Sequence, residues 1–230
     1  MTHVIRALGA WLFLCALPAL SQAPSRPCSV GAAPVPGPAC LLAKLELGNL
    51  ASLPVYWHLY VYPTAAKAQA ELTPRGIVVE EFGKRWLFTI AEEQWRPLTG
   101  ELIAKIGPLP LKPAASFTAE YLRSIFEPGS TAPVHIHSGP EAFFALTGDT
   151  CLETPEGVQT SKGPGNTLVV AGGPPMLLMA TGNEIRKGFA LILHDSSMPP
   201  TTLLDDWHPK GLCRKDGLPS SGRDPAARDR

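Results

Sequence analysis

The sequence predicts a mostly-β protein, a sandwich or closed barrel in the C-terminal half preceded by a small α+β unit. From residue 101 to about residue 194, short apolar runs recur between Gly and Pro turns, the pattern of a sheet protein that removes its edges by pairing strands around itself. Between residues 55 and 62, Val55, Trp57, Leu59 and Val61 alternate with Tyr56, His58, Tyr60 and Tyr62, which is strand periodicity. A chain of 230 residues, 45% hydrophobic and 17% charged, can bury one good core with a smaller satellite. Its formal net charge is zero. With no long Lys/Arg cluster there is no electrostatic ground to expect nucleic acid or an anionic membrane as partner.

Residues 1–23 have the form of a secretory signal: a short n-region with Arg6, an apolar run from Ala7 to Leu20, and small residues near Ser21 and Ala23. The run is interrupted by Pro18 and is short for a membrane span of about 20 residues. A secreted or periplasmic protein, free of the membrane once the signal is removed, is therefore expected; a buried N-terminal helix is the alternative. Signal removal takes Cys15 and leaves Cys28, Cys40, Cys151 and Cys213. An even number of cysteines in an exported chain reads as two disulfides with three possible pairings. Cys28 with Cys40 is favoured because it would staple a stretch with little else to order it. Cys151 with Cys213 would tie the C-terminal extension to the barrel; four free thiols are the alternative. None of the pairs has zinc-ligand spacing.

Residues 24–50 form a Pro-rich arm, with 41–47 apolar enough for a strand or short helix. In the unit at 51–98, the strand at 55–62 is followed by an Ala-rich helix that Thr64 can cap and that Thr73-Pro74-Arg75-Gly76 stops. Strands at 77–81 and 85–90 meet at Phe82-Gly83-Lys84, a hairpin turn. One helix and three short strands bury too little by themselves, so this unit should pack on the barrel. His58, flanked by tyrosines, reads as a packed strand residue. Residues 99–206 form the barrel, with strands expected at 102–106, 116–126, 134–137, 141–147, 158–160, 167–170, 176–180 and 189–194. His194-Asp195-Ser196-Ser197 holds the residue types of a hydrolase triad, but neighbours on a strand point apart, so it reads as a strand end. The extension at 207–230, with His208 at the surface, has a disordered end.

Chemistry concentrates between Gly129 and Gly148. His135, His137 and Glu141 lie among apolar and turn residues, where charged groups need compensation. On a strand His135 and His137 project to one face and Ile136 to the other. A hairpin at Ser138-Gly139-Pro140 would bring Glu141 back beside the two rings. The spacing glycine, five residues, histidine, one, histidine, three, glutamate, six, glycine is similar to the first motif of the cupin family, with every fixed position filled. The resemblance covers roughly residues 101–196. It implies an antiparallel β-barrel of the jelly-roll type in which these three residues are metal ligands, in proteins that are often homodimers. The second motif departs from the family: in the segment 165–180, Ala171 stands for the usual proline, Met176 for the fourth ligand, a histidine, and Ala180 for asparagine.

Two histidines and a carboxylate are the set that holds non-haem Fe(II) and leaves positions open for oxygen or substrate. Fe, Mn or Zn is expected at His135, His137 and Glu141. Met176 beside two imidazoles would suit copper, though methionine is more often a gap-filler in a core. A metal-free cavity in which the three groups bond to one another is the alternative. Phe143, Phe144, Leu178 and Met179 are candidates for the pocket wall or the core. Three functions follow: a metalloenzyme acting on a small organic molecule, oxygenase-like; a small-ligand binding module; or a structural protein. The sequence assigns no catalytic residue, and it places no second carboxylate near the site.

Overall fold

A computed structural model describes residues 26–29, 36–50 and 54–214. The signal segment and the end of the C-terminal extension lie outside the described residues. Among those described are fourteen strands and one short helix. One sheet contains β1 (Gly37–Gly48), β6 (Phe117–Phe126), β8 (Glu141–Thr147), β11 (Asn166–Val170) and β13 (Arg186–Asp195), in the order β1-β6-β13-β8-β11. Facing it are β9 (Asp149–Thr154), β10 (Gly157–Ser161) and β12 (Leu177–Thr181), together with the pair β7 (His135–His137) and β14 (Thr201–Leu203). A bridge between His135 and Met176 joins the two smaller sheets into one layer. Strand pairs are antiparallel throughout the named sheets.

The N-terminal unit is a third layer: β2 (Val55–Tyr62), β3 (Gly76–Glu81), β4 (Lys84–Glu92) and β5 (Glu101–Ile106), in the order β3-β4-β2-β5. The helix α1 (Ala65–Ala70) covers its far side, where Ala68 meets Tyr60, Tyr62 and Leu87. Thr64 caps α1 by accepting the Lys67 N–H, as expected of a threonine at that position. Phe82 and Gly83, with φ of 51° and 71°, make the two-residue turn between β3 and β4. The Phe82 ring is anchored 5.3 Å from Phe189, which offsets the cost of a bulky residue in the left-handed region.

Period-two alternation gives the five-stranded sheet two different faces. Ala119, Tyr121, Ala142, Phe144, Phe189, Leu191 and Leu193 point toward the N-terminal sheet and pack on Trp57, Trp86 and Phe88. Leu122, Phe126, Phe143, Ala190 and Ile192 point the other way, against Leu152, Met176, Leu178 and Ala180 of the facing layer. The second cluster is the barrel interior.

Several expectations need correcting. Residues 37–48, placed in the Pro-rich arm, are an edge strand of the barrel sheet; their apolar side chains find both cores because a register shift between Leu41 and Ala43 moves the following residues to the other face. Strand β5, assigned to the barrel, pairs with β2 and completes the N-terminal sheet. β9 and β14 are not among the expected strands, the first because Gly148-Asp149 reads as turn, the second because it is short and follows two prolines. The extension beyond residue 206 is tied down as far as Arg214: the buried Glu153 carboxylate accepts the backbone N–H groups of Lys210 and Leu212, and Cys213 is bonded to Cys151. Cys28 is bonded to Cys40.

Candidate metal centre

His135 and His137 alternate with Ile136 on β7 and face the interior, both buried. Glu141 does not return on a hairpin partner of β7. β7 pairs with β14, whereas β8 pairs with β11 and β13, so Ser138-Gly139-Pro140 is a corner between the two layers. The corner is tight. A Cβ on Gly139 would sit 2.0 Å from the Leu193 carbonyl oxygen and 2.9 Å from the His194 Cα, so only glycine fits. By crossing layers the chain carries Glu141 to the opposite wall of the same cavity, facing the two rings.

The ligand atoms of His135, His137 and Glu141 all lie within 4.8 Å of one another. Nδ1 of His135 is 2.6 Å from the Pro133 carbonyl and Nδ1 of His137 is 2.8 Å from the Pro200 carbonyl. A carbonyl only accepts, so each Nδ1 carries the proton and each neutral ring presents the Nε2 lone pair inward. His137 Nε2 is 3.0 Å from Glu141 Oε2. Neither atom has another hydrogen-bond partner among the described residues: the contact is an ion pair when His137 is protonated and two acceptors side by side when it is neutral. Two buried acceptors brought this close are what a cation satisfies. At donor distances of about 2.1 Å an ion holds neighbouring ligands roughly 3 Å apart, a spacing that His137 and Glu141 already have. The residues present therefore fit a divalent metal.

Burial favours neutral imidazole at both rings. It dominates at His135, lowering its pKa with help from His137. At His137 burial acts in the same direction, but the Glu141 carboxylate outweighs it and the net shift is upward. Met176 lies directly opposite His135 in the bridge, on the same interior face, and is fully buried. Phe143 and Leu178 are buried in the interior cluster. Phe144 points into the other core, and Met179 packs on the Cys151–Cys213 disulfide outside the barrel.

The structure adds residues that were read only as strand. Glu120, opposite Ile192 in the ladder as Glu141 is on the other side, shares the interior face. It is buried, contacts Lys44 at 3.9 Å, and acts electrostatically on His137. The structure thus supplies a second carboxylate that the sequence did not place. Its signal was present in the alternation Thr118, Glu120, Leu122, Ser124, Phe126 along β6, where polar residues recur on one face. Arg186, fully buried at the start of β13, was likewise missed. His194 is buried and bonds through Nδ1 to the Asp195 carbonyl, and Asp195 Oδ1 accepts from the Ser197 N–H and hydroxyl. No triad is formed. His58 bonds to the Glu92 carbonyl and meets Trp95 edge-on, a packed strand residue, and His208 is exposed.

A cavity of about 330 Å³ lies at the same corner, lined by Ile136, His137, Gly139, Pro140, Thr202 and Lys112 among others.

No family model matches the chain, and no curated protein sequence matches it. Among solved structures, a cupin-like protein of Thermotoga maritima is similar over 37% of this chain and 64% of its own, at 16% identity and a TM-score of 0.34. A protein of Klebsiella pneumoniae with a double-stranded β-helix domain is similar over 37% of this chain and 69% of its own, at 15% identity and a TM-score of 0.32. The DMSP lyase DddQ of Ruegeria pomeroyi is similar over 37% of this chain and 42% of its own, at 19% identity and a TM-score of 0.32. The chain carries an antiparallel β fold, and its segment 135–141 gathers two histidines and a glutamate within 4.8 Å of one another.

Proposed function

We propose that this is an exported metalloprotein that holds a divalent ion through His135, His137 and Glu141 and acts on a small organic molecule inside the barrel. The observation that carries the reading is the buried pair of His137 Nε2 and Glu141 Oε2, which lie 3.0 Å apart and have no further partner among the described residues. The export reading is supported by the two disulfides. Among the described residues no helix is long and apolar enough to cross a membrane.

A bound Fe, Mn or Zn ion would supply Lewis acidity and open positions for oxygen, water or substrate. The chain's own residues do the rest. The Pro133 and Pro200 carbonyls hold the rings in the tautomer that coordinates. The cluster of Leu122, Phe143, Leu152 and Leu178 keeps water out. Glu141, as a ligand, is not available as a general base; Glu120 is a carboxylate on the same wall that is not in the ligand set.

Elemental analysis of protein exported with its native signal tests this, against a His137→Ala variant. Near-stoichiometric metal in the wild type and loss of more than about 100-fold in affinity in the variant are expected, since even a residue behind a ligand is worth about 10–100-fold. Oxygen consumption with small thiols, phenols and keto acids then separates oxygenase from binder. Metal absent from both proteins, with reconstitution failing, would sink the metalloprotein reading. The surviving function would be a metal-free ligand-binding module, a reading favoured by one feature: the fourth ligand position is a buried methionine.

A further inference from the structure

The interior contains a second unbalanced group. Arg186 opens β13, and its side chain has no exposed surface. Its Nε donates to Thr150 Oγ1 and its Nη1 to Ser124 Oγ, each at 2.6 Å. Nη2 has no partner. Among the described residues no carboxylate lies within ion-pair distance of the guanidinium; the charged groups that act on it reduce to Glu141, from a distance. Burial lowers its pKa to about 10, with Glu141 opposing the shift, so the group stays cationic at neutral pH. A buried guanidinium is ordinarily matched by a carboxylate or phosphate in a two-pronged contact. This one is matched by two hydroxyls, which are neutral.

The hydroxyls sharpen the point. Ser124 and Thr150 are both buried and both use a lone pair to accept from Arg186. Each still carries an O–H to donate, and no described acceptor takes it. Three side chains on three strands, β6, β9 and β13, thus leave Nη2 and two hydroxyl hydrogens without an acceptor among the described residues. The Phe143 ring, 5.8 Å from the guanidinium carbon, forms one side of this cluster. Phe143 follows Glu141 by two residues on the same face of β8, so the donor cluster and the metal ligands share one interior.

We propose that Arg186, Ser124 and Thr150 form the recognition site for a carboxylate group, and that the small molecule taken into the barrel is a carboxylic acid anion. The proposal deepens the function proposed above and draws on the charge of Arg186. Arg186 is a binding residue here, with no part in bond making or breaking.

The probe is malonate, compared with its neutral diamide, titrated calorimetrically into dialysed, metal-free protein at neutral pH; metal content is measured separately by elemental analysis. Wild type is expected to bind malonate and not the diamide. Arg186→Gln should lose malonate affinity by at least tenfold while keeping its metal content. If Arg186→Gln does not fold, Arg186→Lys decides: it keeps the charge but not the fork, so it should bind malonate more weakly than wild type and still prefer it to the diamide. Malonate binding that is absent in wild type, equal in the variants, or matched by the diamide would overturn the assignment and leave Arg186 a structural cation. Because the titration is made without metal, failure of the metal reading leaves this result interpretable, and a metal-binding protein that ignores malonate refutes only the carboxylate site.

Discussion

The two faces of the five-stranded sheet are built from the same strands and do opposite things. Toward the N-terminal unit the face is aromatic and aliphatic: Trp86 lies 5.0 Å from Phe189 and 6.2 Å from Phe144, and Phe88 lies 5.3 Å from Tyr121. The Trp86 contacts are edge-on and the Phe88–Tyr121 pair is tilted, and aromatic contacts of this kind add to the free energy of burial. Toward the barrel interior, the same strands interleave apolar residues with Glu120, Glu141, Ser124, Arg186 and His194, all buried. Burying those groups costs stability unless something pairs with them. One face holds the protein together, and that stability lets the other face keep polar groups that a core would normally exclude.

The sharpest way to break this division is on the aromatic side. Trp86→Ala should cost about 3–5 kcal/mol of stability, the range for removing a large core aromatic, while leaving metal per folded molecule unchanged. Chemical denaturation with elemental analysis of the folded fraction checks both halves. A loss of metal from the folded fraction would mean the two faces are not separable.

The interior side gives the next effect. Adding the preferred divalent metal at a hundredfold excess over its Kd should stabilise the wild type by about 2.7 kcal/mol through mass action on the folded state. His137→Ala should show no such gain in thermal unfolding. An equal gain in both proteins would place the ion elsewhere.

The smallest effect concerns a histidine that belongs to neither site. Burial lowers the His58 pKa below 6.5, its backbone bond to Glu92 notwithstanding. As pH falls through about 6.5 the unfolded chain takes up a proton first, so stability falls below that pH and levels off once the folded protein is protonated as well. His58→Gln should flatten this part of the pH–stability curve. A steeper or unchanged slope would show that the acid sensitivity arises from other groups.

Much of this was legible without coordinates. Alternation announced β2, short runs between turns announced β4, β6 and β13, and Thr64 and the Phe82-Gly83 pair marked a helix start and a hairpin turn, because such signals depend on a few neighbouring residues. What escaped has a physical pattern. β1 was hidden by prolines that precede it, and a register shift blurred its alternation. β14 is too short to have a period of its own. Glu120, Arg186 and His194 look like ordinary strand polar residues; only the face they occupy makes them unusual.

From the amino-acid order alone came the two inward histidines, the glutamate at a motif spacing, the β class and the favoured cysteine pairs, since each depends on local geometry or on counting. Tertiary structure decided that Glu141 reaches the rings across a corner between layers, that Arg186 shares their interior, and that the N-terminal sheet seals the opposite face. Those outcomes depend on which strands lie side by side, and strand order is set by contacts between residues far apart in the chain, as when Arg186 meets Ser124 and Thr150.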